Sequence, residues 1–139
     1  MTPSNHFKIA RRIEFADTDV SGIVHFSRFF VFMETAEHEF LRSLGTSVHL
    51  EDEGRQIGWP RVEASCKYVA PAHFGDVIDI EVNIARRGKK SMSYSFLFLK
   101  DDETIAEGKM TSVCCVLDGG RLEAIQIPAV IAQKIDRGT

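Results

Sequence analysis

The chain has 139 residues, of which 44% are hydrophobic and 27% charged, the size and composition of one ordinary globular domain over residues 1–139. Its net charge of −3 supplies no bulk attraction to nucleic acid or to an anionic membrane surface, and no apolar stretch approaches the ~20 residues of a membrane span. The opening Met-Thr-Pro-Ser-Asn-His has no basic region followed by an apolar run, so no signal peptide is expected and the expected location is cytoplasmic.

The first predicted element is a strand over residues 7–16, with Phe7, Ile9, Ile13 and Phe15 among its apolar positions. A short acidic turn containing Asp17, Asp19 and Gly22 leads into one long helix over residues 24–44. At ~100° per residue, Phe26, Phe29, Phe30, Met33, Ala36, Phe40, Leu41 and Leu44 gather on a single face of that helix. Gly45 supplies its stop. So aromatic a helix is expected to be wrapped by a sheet.

Glu37 projects into the same apolar face. A buried carboxylate is expensive unless paired, so it should meet an arginine, a histidine or a polar subunit interface. Service as a second acid or base is the sharper alternative. Glu34 and His38 lie four apart on one side, but Arg42 occupies the place of the second histidine in a His-Glu-x-x-His zinc motif, and no metal is expected.

Residues 46–59 are polar and read as irregular. Four strand-like runs follow at 61–70, 76–86, 91–100 and 104–117, punctuated by Pro71, Gly75-Asp76, Gly88 and a polar tip at 100–103. Gly119-Gly120 ends the last run, and Pro128 opens a short helix through Ile135. A strand, a long helix and four consecutive strands imply an antiparallel sheet with one helix packed on it, an α+β architecture. The cysteines, Cys66, Cys114 and Cys115, form neither a disulfide framework nor a zinc-ligand spacing; Cys114 and Cys115 fall in an apolar strand and are read as buried, inert thiols.

Asp17-Thr18-Asp19 has two physical readings. Asp, Thr and the nearby Ser21 can simply cap a turn and a helix start. Alternatively, free N–H groups near the helix start hold a thioester carbonyl oxygen as it becomes an oxyanion. A neighbouring carboxylate then attacks the carbonyl, or activates water to do so.

The run from Arg12 to Phe26, Arg-Ile-Glu-Phe-Ala-Asp-Thr-Asp-x-x-Gly-Ile-Val-His-Phe, resembles the active-site signature of the 4-hydroxybenzoyl-CoA thioesterase family over nearly all of its positions. Pro71-Ala72 with Asp76 is similar to that family's Pro-Ala…Asp turn. The resemblance implies the hotdog fold, a curved antiparallel sheet around one central helix, and hydrolysis of an acyl-CoA to a carboxylic acid and coenzyme A without a cofactor. It places the catalytic carboxylate on Asp19, as nucleophile or general base, and the oxyanion donor on the backbone amide of Phe26. Asp17 and Thr18 become shaping residues, and Gly22 lets the chain turn sharply. His25 stands where the family usually carries Tyr or Trp, and Phe26 where some members carry His. A histidine-assisted mechanism therefore does not transfer. His25 is read as a hydrogen-bonded structural residue at the substrate site or as a displaced helper; Phe26 and Phe29 are read as acyl-pocket lining.

Arg86, Arg87, Lys89 and Lys90 make the one dense basic cluster. It is either a solvated hairpin turn or a clamp for the phosphates of coenzyme A, and the resemblance favours the clamp. The resemblance also implies a homodimer or homotetramer with sites at subunit interfaces. Two rival functions remain open on the sequence, a non-catalytic acyl-CoA binding or sensing module and an acyl-thioester dehydratase. The acyl group and its carrier, coenzyme A or an acyl-carrier protein, are not fixed by these residues.

Overall fold

Residues 7–137 are described by a computed structural model; residues 1–6, which carry the expectation about targeting, lie outside the described residues. In chain order the elements are β1 (Phe7–Arg12), a 3-10 turn (Phe15–Asp17), α1 (Arg28–Ser43), β2 (Leu50–Asp52), β3 (Arg55–Gly58), β4 (Arg61–Tyr68), β5 (Val77–Arg87), β6 (Ser91–Lys100), β7 (Glu103–Val113), β8 (Cys115–Asp118), β9 (Arg121–Ala124) and α2 (Ala129–Arg137). Five strands form an antiparallel sheet in the order β1-β5-β6-β7-β4, and four shorter ones form a second sheet, β2-β3-β8-β9. Among the described residues, no helix is long and apolar enough to cross a membrane.

The strands alternate as half-buried strands must. Ile78, Ile80 and Val82 of β5, Met92, Tyr94, Phe96 and Phe98 of β6, and Ala106 and Met110 of β7 are buried on one face. Against that face α1 buries Phe29, Phe32, Met33, Ala36, Phe40 and Leu41. Each large side chain removed from water contributes about 1.5–3 kcal/mol, so the helix is held by its apolar stripe. The helix packs tightly on the sheet at Gly108, where an added Cβ would stand 2.6 Å from Met33 Cε. The outcome is the α+β hotdog arrangement.

Several boundaries differ from the sequence reading, each for a tertiary reason. The helix starts at Arg28 instead of residue 24 because the preceding turn is tied elsewhere: the Val24 amide donates to the Ala72 carbonyl (2.9 Å) and the His25 amide to the Asp17 carbonyl (2.8 Å). Phe26 is therefore outside the helix and 63% exposed, while Phe32, missing from the projected face, is fully buried. Phe15 sits in the 3-10 turn and is 78% exposed, packed edge-on against Phe74. The 46–59 segment holds a hairpin, β2–β3, closed by Glu53 and Gly54 at positive φ. The run at 104–117 divides at Cys114, whose amide donates to the Lys90 carbonyl (2.7 Å), so that the chain passes from one sheet to the other. β9 was not foreseen. Gly45 does end the helix: at φ +81 it sends its amide to the Arg42 carbonyl, and Thr46 sends its own to Leu41, the paired bonds of a Schellman cap.

Candidate functional site

The site grows from the connection between β1 and α1. Asp17 closes the 3-10 turn and Asp19 follows two residues on, past the extended Thr18, and the two carboxylates lie in different surroundings. Asp17 turns inward and is fully buried. Its carboxylate accepts the Glu14 amide at 2.8 Å and Nε and Nη2 of Arg28 at 2.9 and 2.8 Å, with Arg11 Nη2 at 3.5 Å. Burial alone would raise the Asp17 pKa. The Glu14 amide and the two guanidinium groups outweigh it and hold the carboxyl below its ordinary value. Asp17 is an ionised anchor, and its carbonyl receives the His25 amide.

Asp19 faces the other way and is half-buried. Its own backbone closes the turn: its amide donates to the Ile23 carbonyl at 2.8 Å, and its carbonyl accepts the Gly22 amide at 3.0 Å. Gly22 adopts φ +84, a conformation that side chains rarely tolerate. One carboxylate oxygen, Oδ1, accepts the Ser21 amide at 2.7 Å. The other has no hydrogen-bond or ion-pair partner among the described residues.

Beyond Gly22 the backbone presents a second free group. The His25 carbonyl accepts the Arg28 amide at 2.9 Å, but the Phe26 amide has no partner among the described residues. The His25 ring lies over the Phe26 ring, 4.6 Å between centroids, and its Nδ1 accepts the Ser27 amide at 3.2 Å with Ser27 Oγ at 2.8 Å. An accepting Nδ1 puts the proton of the neutral ring on Nε2. His25 is thus held in the turn and does not line the adjacent cavity.

That cavity, about 450 Å³, has Asp19 at its polar end and Val24, Phe26, Phe29, Tyr68 and residues 69–72 as walls. Its lining carries no cation. Of the sequence-predicted residues, Asp19, Phe26 and Phe29 are brought together around one space, with Gly22 and His25 shaping the turn beside it. The basic cluster is elsewhere. Strand register puts Tyr68, Ala106, Phe98 and Ile80 in one row and Arg61, Ser112, Met92 and Arg87 in another at the opposite end of the sheet. The two rows are roughly 20 Å apart at 3.3 Å per residue. Arg87 is paired with Asp136 of α2, Nε to Oδ1 at 2.6 Å and Nη2 to Oδ2 at 2.8 Å, whereas Arg86, Lys89 and Lys90 project into solvent.

Glu37 is 1% exposed and answers its burial with Arg61, whose Nη2 and Nη1 lie 2.5 and 3.1 Å from its two oxygens. Burial still raises the Glu37 pKa, against the opposing pull of Arg61. Arg61 also reaches Glu34 at 3.3 Å, and His38 Nε2 stands 3.9 Å from Glu37. This cluster adjoins the far row, away from Asp19 of the same chain. Burial pushes the Cys66 and Cys114 thiols up to about 11, leaving neither a nucleophile at neutral pH. Tyr68 and Arg28 were not singled out by sequence; strand and helix patterns carry no signal for a contact made across the fold.

A family model described as the thioesterase-like superfamily matches residues 13–135. A protein of Aquifex aeolicus is 32% identical over 120 residues, covering 86% of this chain and 91% of the relative. The 4-hydroxybenzoyl-CoA thioesterase of a Pseudomonas species is 28% identical over 126 residues, covering 86% and 89%. Among solved structures, a gentisyl-coenzyme A thioesterase superposes with a TM-score of 0.80 at 28% identity, over 93% of this chain and 99% of the other.

Proposed function

The chain belongs to the thioesterase-like superfamily, and from that premise we propose that it hydrolyses acyl-CoA thioesters at the cavity beside Asp19. The observation that carries the reading is the pairing, on one turn, of a carboxylate oxygen and a backbone amide that both lack a partner among the described residues, beside a largely apolar cavity. The acyl group occupies the cavity, and the thioester oxygen accepts the Phe26 N–H. As the carbonyl carbon becomes tetrahedral, negative charge grows on that oxygen, and a preorganised donor stabilises it more than it stabilises the ground state. Asp19 supplies the attack. If it bonds to carbon directly, the carbon–sulfur bond breaks to give a mixed anhydride and coenzyme A thiolate, and water then releases the acid. If it acts as base, it takes a proton from the water that attacks, and the tetrahedral intermediate collapses with cleavage of the carbon–sulfur bond to release the acid and coenzyme A thiolate, which recovers that proton.

The lining is mostly apolar, which suits an apolar acyl group such as an aryl, branched or medium chain. The nucleotide phosphates are assigned to Arg86, Lys89 and Lys90, with Arg87 as their support. One chain does not place these beside its own cavity. β4 is an edge strand, exposed at 62–65 and 67–69. Antiparallel pairing of two β4 edges would turn the far row of one copy toward the cavity end of the other, so the working unit is proposed to be a homodimer or a pair of dimers.

The test is thiol release by the purified protein from a panel of aryl, branched and straight-chain acyl-CoAs and acyl-carrier-protein thioesters. Asp19→Asn should abolish release. Binding without turnover, with affinity indifferent to D19N, would instead mark a sensing module. A single turnover in H2(18)O separates the two routes, since label in the Asp19 carboxylate requires the anhydride.

A further inference from the structure

Tyr68 ends β4 where the sheet edge meets the turn that carries Phe26. Its hydroxyl donates a hydrogen bond to the Phe26 carbonyl at 2.9 Å. That carbonyl has no helical partner: the Phe30 amide, which would reach it in a regular α-helix, goes to the Ser27 carbonyl at 3.2 Å instead. The Tyr68 ring is fixed as well as its hydroxyl, packing edge-on against Phe29 with centroids 5.4 Å apart, and Phe29 packs in turn on Phe98 at 5.2 Å. β4 itself is held by β7, with Tyr68 opposite Ala106.

We propose that Tyr68 is a positioning residue for thioester hydrolysis, fixing the peptide that follows Phe26 so that the Phe26 N–H stays aimed at the reacting oxygen. The inference rests on reading that amide as the oxyanion donor. Two peptide planes meet at the Phe26 Cα. The preceding plane is anchored by the Arg28 amide on the His25 carbonyl. The following plane is anchored by Tyr68 from the sheet and by the Ser27 amide on His25 Nδ1. With both planes held, the Phe26 N–H direction does not depend on the turn's own stiffness. Without Tyr68, the remaining anchor of the second plane lies wholly inside the turn it must fix, since His25 and Ser27 belong to the same turn. Burial and the neighbouring Cys66 raise the Tyr68 phenol, so it remains a donor throughout the neutral range.

A misaligned donor weakens the bond that strengthens as charge develops, so the loss falls on kcat more than on KM. Outright removal of an oxyanion donor costs about 10²–10³-fold; loosening one should cost about tenfold. Tyr68→Phe keeps the ring, and with it the cavity wall. The expected result is a kcat about tenfold lower, a KM within about twofold of the parent, and a shifted Phe26 carbonyl 13C resonance marking loss of the bond. In an Asp19→Asn background, the bound thioester carbonyl stretch should also lose part of its red shift on adding Y68F. Unchanged kcat in Y68F, or a raised KM at unchanged kcat, would overturn the inference while leaving the thioesterase reading intact. An unaltered protein that releases no thiol from any thioester would overturn both.

Discussion

Replacing Arg61 by methionine isolates the buried carboxylate of Glu37. Two guanidinium bonds at 2.5 and 3.1 Å would vanish from a group that is 1% exposed, leaving it the Tyr94 side chain as a hydrogen-bond partner. Breaking a buried ion pair from one side costs about 3–5 kcal/mol, because the remaining charge is stranded. With unfolding entropy of roughly 2.1 cal/mol/K per residue, a chain of 139 residues loses stability at about 0.3 kcal/mol per degree near its midpoint, so R61M should lower Tm by about 10–17 °C at pH 7. The sign of the pH effect follows from the raised Glu37 pKa. A raised folded-state value gives stability that is full below the ordinary glutamate range and lost as pH rises through the folded value. R61M raises that value further, so its deficit should shrink between pH 7 and pH 5, by at most about 1.4 kcal/mol per pH unit. Thermal melts by circular dichroism at both pH values and one protein concentration measure this. Glu37→Gln, which removes the charge and leaves half-buried Arg61 access to water, should cost less than about 1 kcal/mol. Equal R61M deficits at pH 5 and 7, or an E37Q as damaging as R61M, would refute the argument.

Asp17→Asn should cost about 3 kcal/mol at pH 7 and slow hydrolysis by releasing the turn. Because the Asp17 pKa is lowered, its stabilisation is present above the ordinary value of 3.8 and disappears as pH falls through the folded value; denaturant melts of parent and variant should therefore converge in acid. Gly108→Ala drives a methyl toward Met33 Cε and Sδ, 2.6 and 2.7 Å from the new Cβ, and should cost about 1–3 kcal/mol by overpacking, part of it regained when Met33 is shortened to Val. Lys89→Ala combined with Lys90→Ala should raise KM for acyl-CoA several-fold on the scale of lost charge-assisted contacts, with kcat unchanged and the effect fading in high salt.

β1 and β4 were legible in the sequence alongside β5, β6 and β7, and in the last three the alternation is enforced over much of their length by burial beneath α1. The β2–β3 hairpin buries only Ile57 among its members, so nothing in its pattern distinguished it from a loop. Glu37 was legible as a problem, a carboxylate on an apolar stripe, but its solution lay 24 residues away on β4, and local spacing holds no information about that. Phe26 and Phe15 misled for one reason. Their sequence neighbours continue an apolar period, while the backbone bonds of the Asp19 turn interrupt it. The Asp19 turn was visible as a candidate because its residues are contiguous; the groups that hold it, Arg28 and Tyr68, reach it from other elements.

The cavity walls bear on how such a protein changes over time. Phe26 and Val69 line the cavity beside Asp19 yet remain largely exposed, 63% and 53%, so little of the folding free energy resides in them. The helix, the sheet and the Asp17 anchor carry stability a few residues away. Substitution at the two wall positions can therefore reshape this cavity at small thermodynamic cost, and under the proposed function new acyl preferences are open to single mutational steps that leave the Asp19 turn in place.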